Sequence, residues 1–282
     1  MELTLGVTFA VLAAALLHAA WNALIKSGRD PVLDTALVAL SGTVVALPLA
    51  AFIPPPEPAA WPYVATSVGV HLGYYAAVAG AYRAGDLSHG YPIMRGAAPL
   101  LVALATWLWI GERLSVQAWS GILLISAGVL SLALVKDRQG RGASGTATAW
   151  ALGCAAIIAV YTLADGAGVR LAGGTERYLV WLFLFMGLPF GLLVLAWKPA
   201  ALVRHAREHW ARGLAGATLS ALSYGIALWA MTRAPVAVVA ALRETSVLFA
   251  ALIGAVLLKE GRLGRRLVGA GIVLAGLIAL KL

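Results

Sequence analysis

Two arginines and a glutamate stand inside stretches that are otherwise apolar: Arg95 in "GYPIMRGAAPLLVALATWLWIG", and Arg243 with Glu244 in "VAVVAALRETSVLFAALIGAV". A guanidinium can hold an anionic group through two parallel charge-assisted hydrogen bonds, a geometry that lysine does not reproduce. A carboxylate nearby can hold an ammonium. Polar and aromatic residues recur at helical spacing elsewhere: His18, Trp21 and Asn22; His71, Tyr74 and Tyr75; Tyr161 and Asp165; Ser220, Ser223 and Tyr224; and Tyr91, one turn before Arg95. Residues three and four apart are neighbours on a helix surface. The set suits a small zwitterion, with guanidinium for carboxylate, acid for ammonium and rings for the side chain. The candidate substrate-binding residues are therefore His18, Trp21, Asn22, His71, Tyr74, Tyr75, Tyr91, Arg95, Tyr161, Tyr224, Arg243 and Glu244.

Each has a blander reading. An arginine in such a stretch can snorkel or sit in a structural ion pair, and adjacent Glu244 could serve Arg243 that way. The histidines can be plain hydrogen bonders between helices, with proton coupling a lesser reading. Asp165 lies near the expected end of its helix, where a solvated or capping role competes. Arg95 is expected to be the main contact for an anionic group, with Pro99 bending the helix beside it. No phosphate-binding loop or His-Glu-x-x-His pattern occurs, and the five histidines form no ligand cluster. No catalytic residue, metal or cofactor is expected.

The elements that must position these groups follow from composition. Of 282 residues, 61% are hydrophobic and 12% charged, whereas soluble domains carry about 25% charge. Spanning a bilayer takes about 20 apolar residues in a helix. Ten spans are expected, near 3–25, 33–53, 61–82, 88–110, 116–135, 146–168, 178–197, 212–232, 235–258 and 265–281. The fold class is thus an all-α polytopic membrane protein, the expected way to satisfy this much backbone in lipid. "PPPEPAAWP" at 54–62 reads as an extended connection, and Cys154 as packing.

The net charge of +9 does not indicate a nucleic-acid partner, because of where the charge lies. With ten spans, one side of the bilayer holds 14 basic residues and the other 5. Basic residues mark the cytoplasmic side, which places both termini outside. The first span lacks a basic flank and is too long for a cleaved signal peptide.

The chain is also written twice. A shift of 148 lays Arg95 on Arg243, Glu112 on Glu260, Gly121 on Gly269 and Gly128 on Gly276. A shift of 150 lays Tyr74 on Tyr224 and Arg83 on Arg233. The expected division is a five-helix repeat over 1–136, a polar connector over 137–144 and a second five-helix repeat over 145–282. Five is odd, so the second repeat enters the membrane inverted. Inverted repeats suit alternating access, with a site near the midplane between the halves. The paired glycines let helices approach closely; packing within the chain is the first reading and a homodimer interface the second.

The segments "HAAWNALIKSGRDP", "YPIMRGAAPLLVALATWLWIGERLS" and "LFAALIGAVLLKEGRLGRRLVGAGIVLAGLIAL" resemble the EamA type of the drug/metabolite transporter superfamily. The resemblance runs the full length of the chain. It implies a secondary transporter of small metabolites in the bacterial inner membrane. Members of the YddG type export aromatic and other amino acids, so a zwitterionic amino acid is the implied substrate and the lipid bilayer the implied surroundings. An intramembrane enzyme and a channel are the competing classes.

Overall fold

The computed structural model describes residues 3–26, 28, 30–84, 87–134, 145–256 and 263–280. Every regular element among them is helical. The first half contains α1 (Leu5–Lys26), α2 (Pro31–Ala50), α3 (Trp61–Ala84), α4 (Leu87–Ala105) and α5 (Val116–Ser131). The second contains α6 (Gly145–Leu171), α7 (Thr175–Trp197), α8 (Pro199–Met231), α9 (Val236–Arg243), α10 (Ser246–Val256) and α11 (Leu263–Ala279). Six of these helices are long and apolar enough to cross a bilayer unaided, and α5 and α11 are shorter apolar helices. With α9 and α10 counted as one broken crossing, the described helices make ten.

Burial is arranged for lipid. Phe9, Leu47, Leu108, Leu192 and Leu252 stand exposed on the outside, while Asp34, Arg95, Asp165, Arg243 and Glu244 are buried within. Large exposed apolar area needs a partner, and a bilayer supplies one around the whole circumference. This is an integral membrane fold.

Local signals set several boundaries. Asp30 caps α2 by accepting from the Val32 and Leu33 amides, with Pro31 in the first turn. Ser115 caps α5 by accepting from the Ala118 amide. After α4 the chain loosens into a π turn over Thr106–Ile110 and stops at Gly111, whose φ of 70° needs glycine. α4 runs unbroken through Pro92 and Pro99.

Packing follows a two-fold pattern. α3 lies on α6 as α1 lies on α8, while α2 meets α7, α4 meets α9 and α5 meets α11. Swapping each helix for its counterpart five crossings away reproduces the same pairs, which is the signature of an isologous two-fold contact. The glycines show it at atomic scale. A Cβ on Gly121 would stand 3.0 Å from the Gly276 carbonyl, and one on Gly128 2.9 Å from that of Gly269. The glycine faces of α5 and α11 are therefore occupied by each other.

Two elements depart from the expected spans. α8 runs 33 residues from Pro199, but a non-helical φ/ψ of −128°/17° at His209 divides it, so a short helix precedes the crossing expected from near 212. Its charged start, with Arg204, Arg207 and Arg212, reads as a loop in a hydropathy pattern but contains no helix breaker. The expected ninth span, 235–258, is broken after Arg243. There the Thr245 hydroxyl takes the Leu242 carbonyl at 2.7 Å, and the amides of Glu244, Thr245, Val247 and Leu248 turn to carbonyls three residues back. Serine and threonine compete with the helical ladder in this way. The connector 137–144 and Glu260 lie outside the described residues, as does the side chain of Tyr75.

Candidate functional site

α4 and α9 enter the bundle from opposite ends. Arg95 lies eight residues into α4 and Arg243 is the last residue of α9, so each reaches about 10–12 Å inward at 1.5 Å per residue. They meet at one cavity, which also touches Pro99, Tyr161, Thr162, Ala240 and Glu244. Its volume is about 10 Å³, room for a single water molecule. The site is closed.

Within it the two arginines have different lives. Arg95 Nε lies 2.8 Å from Glu244 Oε2, and its Nη2 donates to the Ser246 hydroxyl at 3.3 Å. Both partners come from the second half. Arg243 is 9% exposed, and its guanidinium lies over the Tyr224 ring, 5.1 Å from the centroid. Glu244 lies within electrostatic reach of Arg243 too, but among the described residues no carboxylate is within ion-pair distance of that arginine.

The repeat explains the asymmetry. Under the shift of 148, "RETS" at 243–246 falls on "RGAA" at 95–98. The acid that neutralises Arg95 across the two-fold has Gly96 as its counterpart, so the symmetric ion pair to Arg243 is not made. Gly96 is held small because a Cβ there would come within 2.7 Å of Leu130. Arg95, expected to be the principal anion contact, is thus paired with Glu244, while Arg243, which lines the same cavity, has no carboxylate within ion-pair distance among the described residues.

A second polar cluster lies beside Tyr224. Asp165 is fully buried in α6, which continues to Leu171, so the solvated or capping role does not hold. The Tyr178 hydroxyl donates to its Oδ1 at 2.8 Å and the Tyr224 hydroxyl to its Oδ2. His71 Nδ1 pairs with the Ser67 carbonyl at 2.7 Å, and the His71 ring lies 4.4 Å from that of Tyr161. A carbonyl only accepts, so this nitrogen carries the proton.

Other expected site residues fall around this centre. Tyr74 meets His71 and Tyr161 edge-on, with both centroids 6.4 Å away. Tyr91 packs, half-buried, between two apolar clusters. The α1 group bonds largely to itself: Trp21 Nε1 donates to His18 Nδ1 at 3.3 Å, and Asn22 Nδ2 to the His18 carbonyl at 2.8 Å. His18 still lies within electrostatic reach of both arginines. The reading from sequence left out Asp165, Ser246 and Thr162 as site residues. The signal for Asp165 was its spacing of four from Tyr161; for Ser246, its place one turn from Arg243.

Two stretches of the chain, residues 4–134 and 145–282, match the EamA-like transporter family. The spermidine export protein MdtI of Klebsiella pneumoniae is 31% identical over 72 residues, covering 26% of this chain and 66% of that protein. The chain therefore spans just under two thirds of that relative's length. One solved crystal structure superposes on 97% of this chain and 94% of its own with a TM-score of 0.74, at 20% identity. That likeness is one of fold.

Proposed function

Because the chain belongs to the EamA-like transporter family, we propose that it exports small zwitterionic metabolites, aromatic and other amino acids first among them. It does so across the bacterial inner membrane by alternating access. The observation that carries this is Arg243: buried, facing the cavity, and without a carboxylate of its own among the described residues. An uncompensated charge in a membrane interior is costly by about 2.5–3.5 kcal/mol on the insertion scale. A ligand's anionic group relieves that cost, so Arg243 takes the role first expected of Arg95. Glu244, once drawn from Arg95, can meet an ammonium, and Tyr74, Tyr91, Tyr161 and Tyr224 offer rings to a side chain.

The repeats 1–136 and 145–282 supply the alternation. The two-fold pairing of helices supports this division, as does the family match in two stretches. The break between α9 and α10 lies at the site, where transporters of inverted-repeat design place discontinuous helices. A cavity with room for one water must widen to admit a metabolite, so the closed form stands between two open ones. The basic-residue bias puts the termini outside.

Export of a polyamine, the activity in the printed name of the Klebsiella relative, is the second reading. Two buried guanidiniums against one paired carboxylate at the cavity disfavour a polycation. Purified protein in liposomes, assayed for counterflow of labelled amino acids and spermidine, decides between them. Counterflow of amino acids but not spermidine is expected. Spermidine exchange without amino-acid exchange sinks the zwitterion reading, and no exchange of either sends the search to other metabolites and drugs.

A further inference from the structure

Asp165 is a buried carboxylate that the carrier reading leaves unused, and one side chain joins it to the anion subsite. The Tyr224 ring lies under the Arg243 guanidinium, 5.1 Å from centroid to Cζ, while its hydroxyl donates to Asp165 Oδ2. Tyr178 gives Asp165 a further hydroxyl donor, but among the described residues no lysine or arginine pairs with it. The ionisable groups that face it are His71 from α3, Tyr178 from α7 and Tyr224 from α8, and Arg243 of α9 lies on the other side of the Tyr224 ring. Tyr161 of its own helix and Arg95 of α4 line the cavity beside it, with Arg243 and Glu244. Arg243 and Asp165 are thus joined through one tyrosine, by its ring on one side and its hydroxyl on the other, in a dry surrounding where charges act over longer distances than in water.

Resting on the reading of Arg243 as the anion subsite, we propose that Asp165 is a proton-binding site that fills when an anionic group occupies Arg243. Anion and proton are then bound together. An anion on Arg243 brings negative charge to the group that Tyr224 links to Asp165, and a proton from the open side offsets it. The proton adds to a carboxylate oxygen and leaves as the same proton when the anion leaves, with no bond in the ligand altered. Linkage requires the converse as well: protonating Asp165 strengthens anion binding.

The test uses benzoate, a simple aromatic carboxylate, titrated calorimetrically into purified protein in buffers of different ionisation enthalpy. The wild type is expected to take up about one proton per benzoate bound, by linkage. Asp165→Asn is expected to bind benzoate with no uptake. Binding without uptake in the wild type overturns the proton site alone. So does uptake retained in Asp165→Asn but lost in His71→Gln, which moves the proton to the histidine. Failure of benzoate to bind overturns the Arg243 reading and this one with it. Should Asp165→Asn not fold, the wild type decides by infrared difference spectroscopy with isotope-labelled aspartate. A protonated-carboxyl band that appears with benzoate and shifts with the label supports the site, and its absence overturns it.

Discussion

Removing one member of the Arg95–Glu244 pair strands the other as a buried charge, whereas removing Arg243 breaks no ion pair among the described residues. Arg95→Ala is therefore expected to lower stability by about 3–5 kcal/mol, read as a fall in the thermal unfolding midpoint. Replacing both partners by apolar residues, Arg95→Met with Glu244→Leu, should restore most of that loss. Arg243→Gln should leave the midpoint nearly unchanged yet weaken binding of a carboxylate about tenfold or more. A charge-assisted hydrogen bond contributes about 1.5–3 kcal/mol, and 1.4 kcal/mol is a factor of ten. If Arg95→Ala is stable and defective only in binding, the roles of the two arginines have been reversed. This pairing could not be read from sequence, where Glu244 follows Arg243 and looks like its partner. Neighbours in a helix point about 100° apart and do not face each other, so a residue on another helix takes the acid. Asp165 escaped for a related reason: its burial depends on Tyr178 and Tyr224, which two other helices bring.

The α5–α11 contact is a matter of elements, and its glycines divide sharply. Gly128 and Gly276 would each place a Cβ within about 3 Å of backbone on the facing helix, while Gly271 faces open space, with nothing inside 4 Å. Gly276→Val is thus expected to abolish monodisperse folded protein in detergent, and Gly271→Val to leave its elution and unfolding midpoint unchanged. Equal damage from both would mean that helix propensity, not close approach, is what matters there. The sequence announced this contact through a seven-residue glycine spacing repeated in each half. It did not announce that the two faces would meet each other within the chain. The break between α9 and α10 was less legible. Thr245 and Ser246 are ordinary in a membrane helix, and only the capture of the Leu242 carbonyl by Thr245 turns them into an interruption. Hydropathy sees composition and is blind to such a bond. It was equally blind to the helical start of α8, whose charges mimic a loop.

At the scale of the whole molecule the two ends differ in how they are tied. At the end that carries both termini, Arg170 donates to the carbonyls of Met231 and Ala234 at 2.8 and 3.3 Å and lies 3.6 Å from Glu112. Beside it Arg177 meets Glu57 at 3.2 Å, and the Glu57 amide donates to the Ala172 carbonyl at 3.2 Å. These contacts join the ends of crossings from both halves, so they must part when that end opens. At the opposite end, His205 meets Asp34 at 3.0 Å. An exposed ion pair contributes at most about 1 kcal/mol, but half-buried Arg170 bridges three elements, and losing about 1.4 kcal/mol would shift the closed-to-open ratio tenfold. Arg170→Gln should therefore populate the form open at the terminal end. Introduced with Ala240→Cys at the cavity, it should raise several-fold the rate of labelling by a membrane-impermeant maleimide applied outside the cell. An unchanged rate would mean that Arg170 supports folding and does not hold the gate. A rise seen only in inverted membrane vesicles would place the termini in the cytoplasm and reverse the orientation inferred from the basic residues, while leaving the latch itself intact.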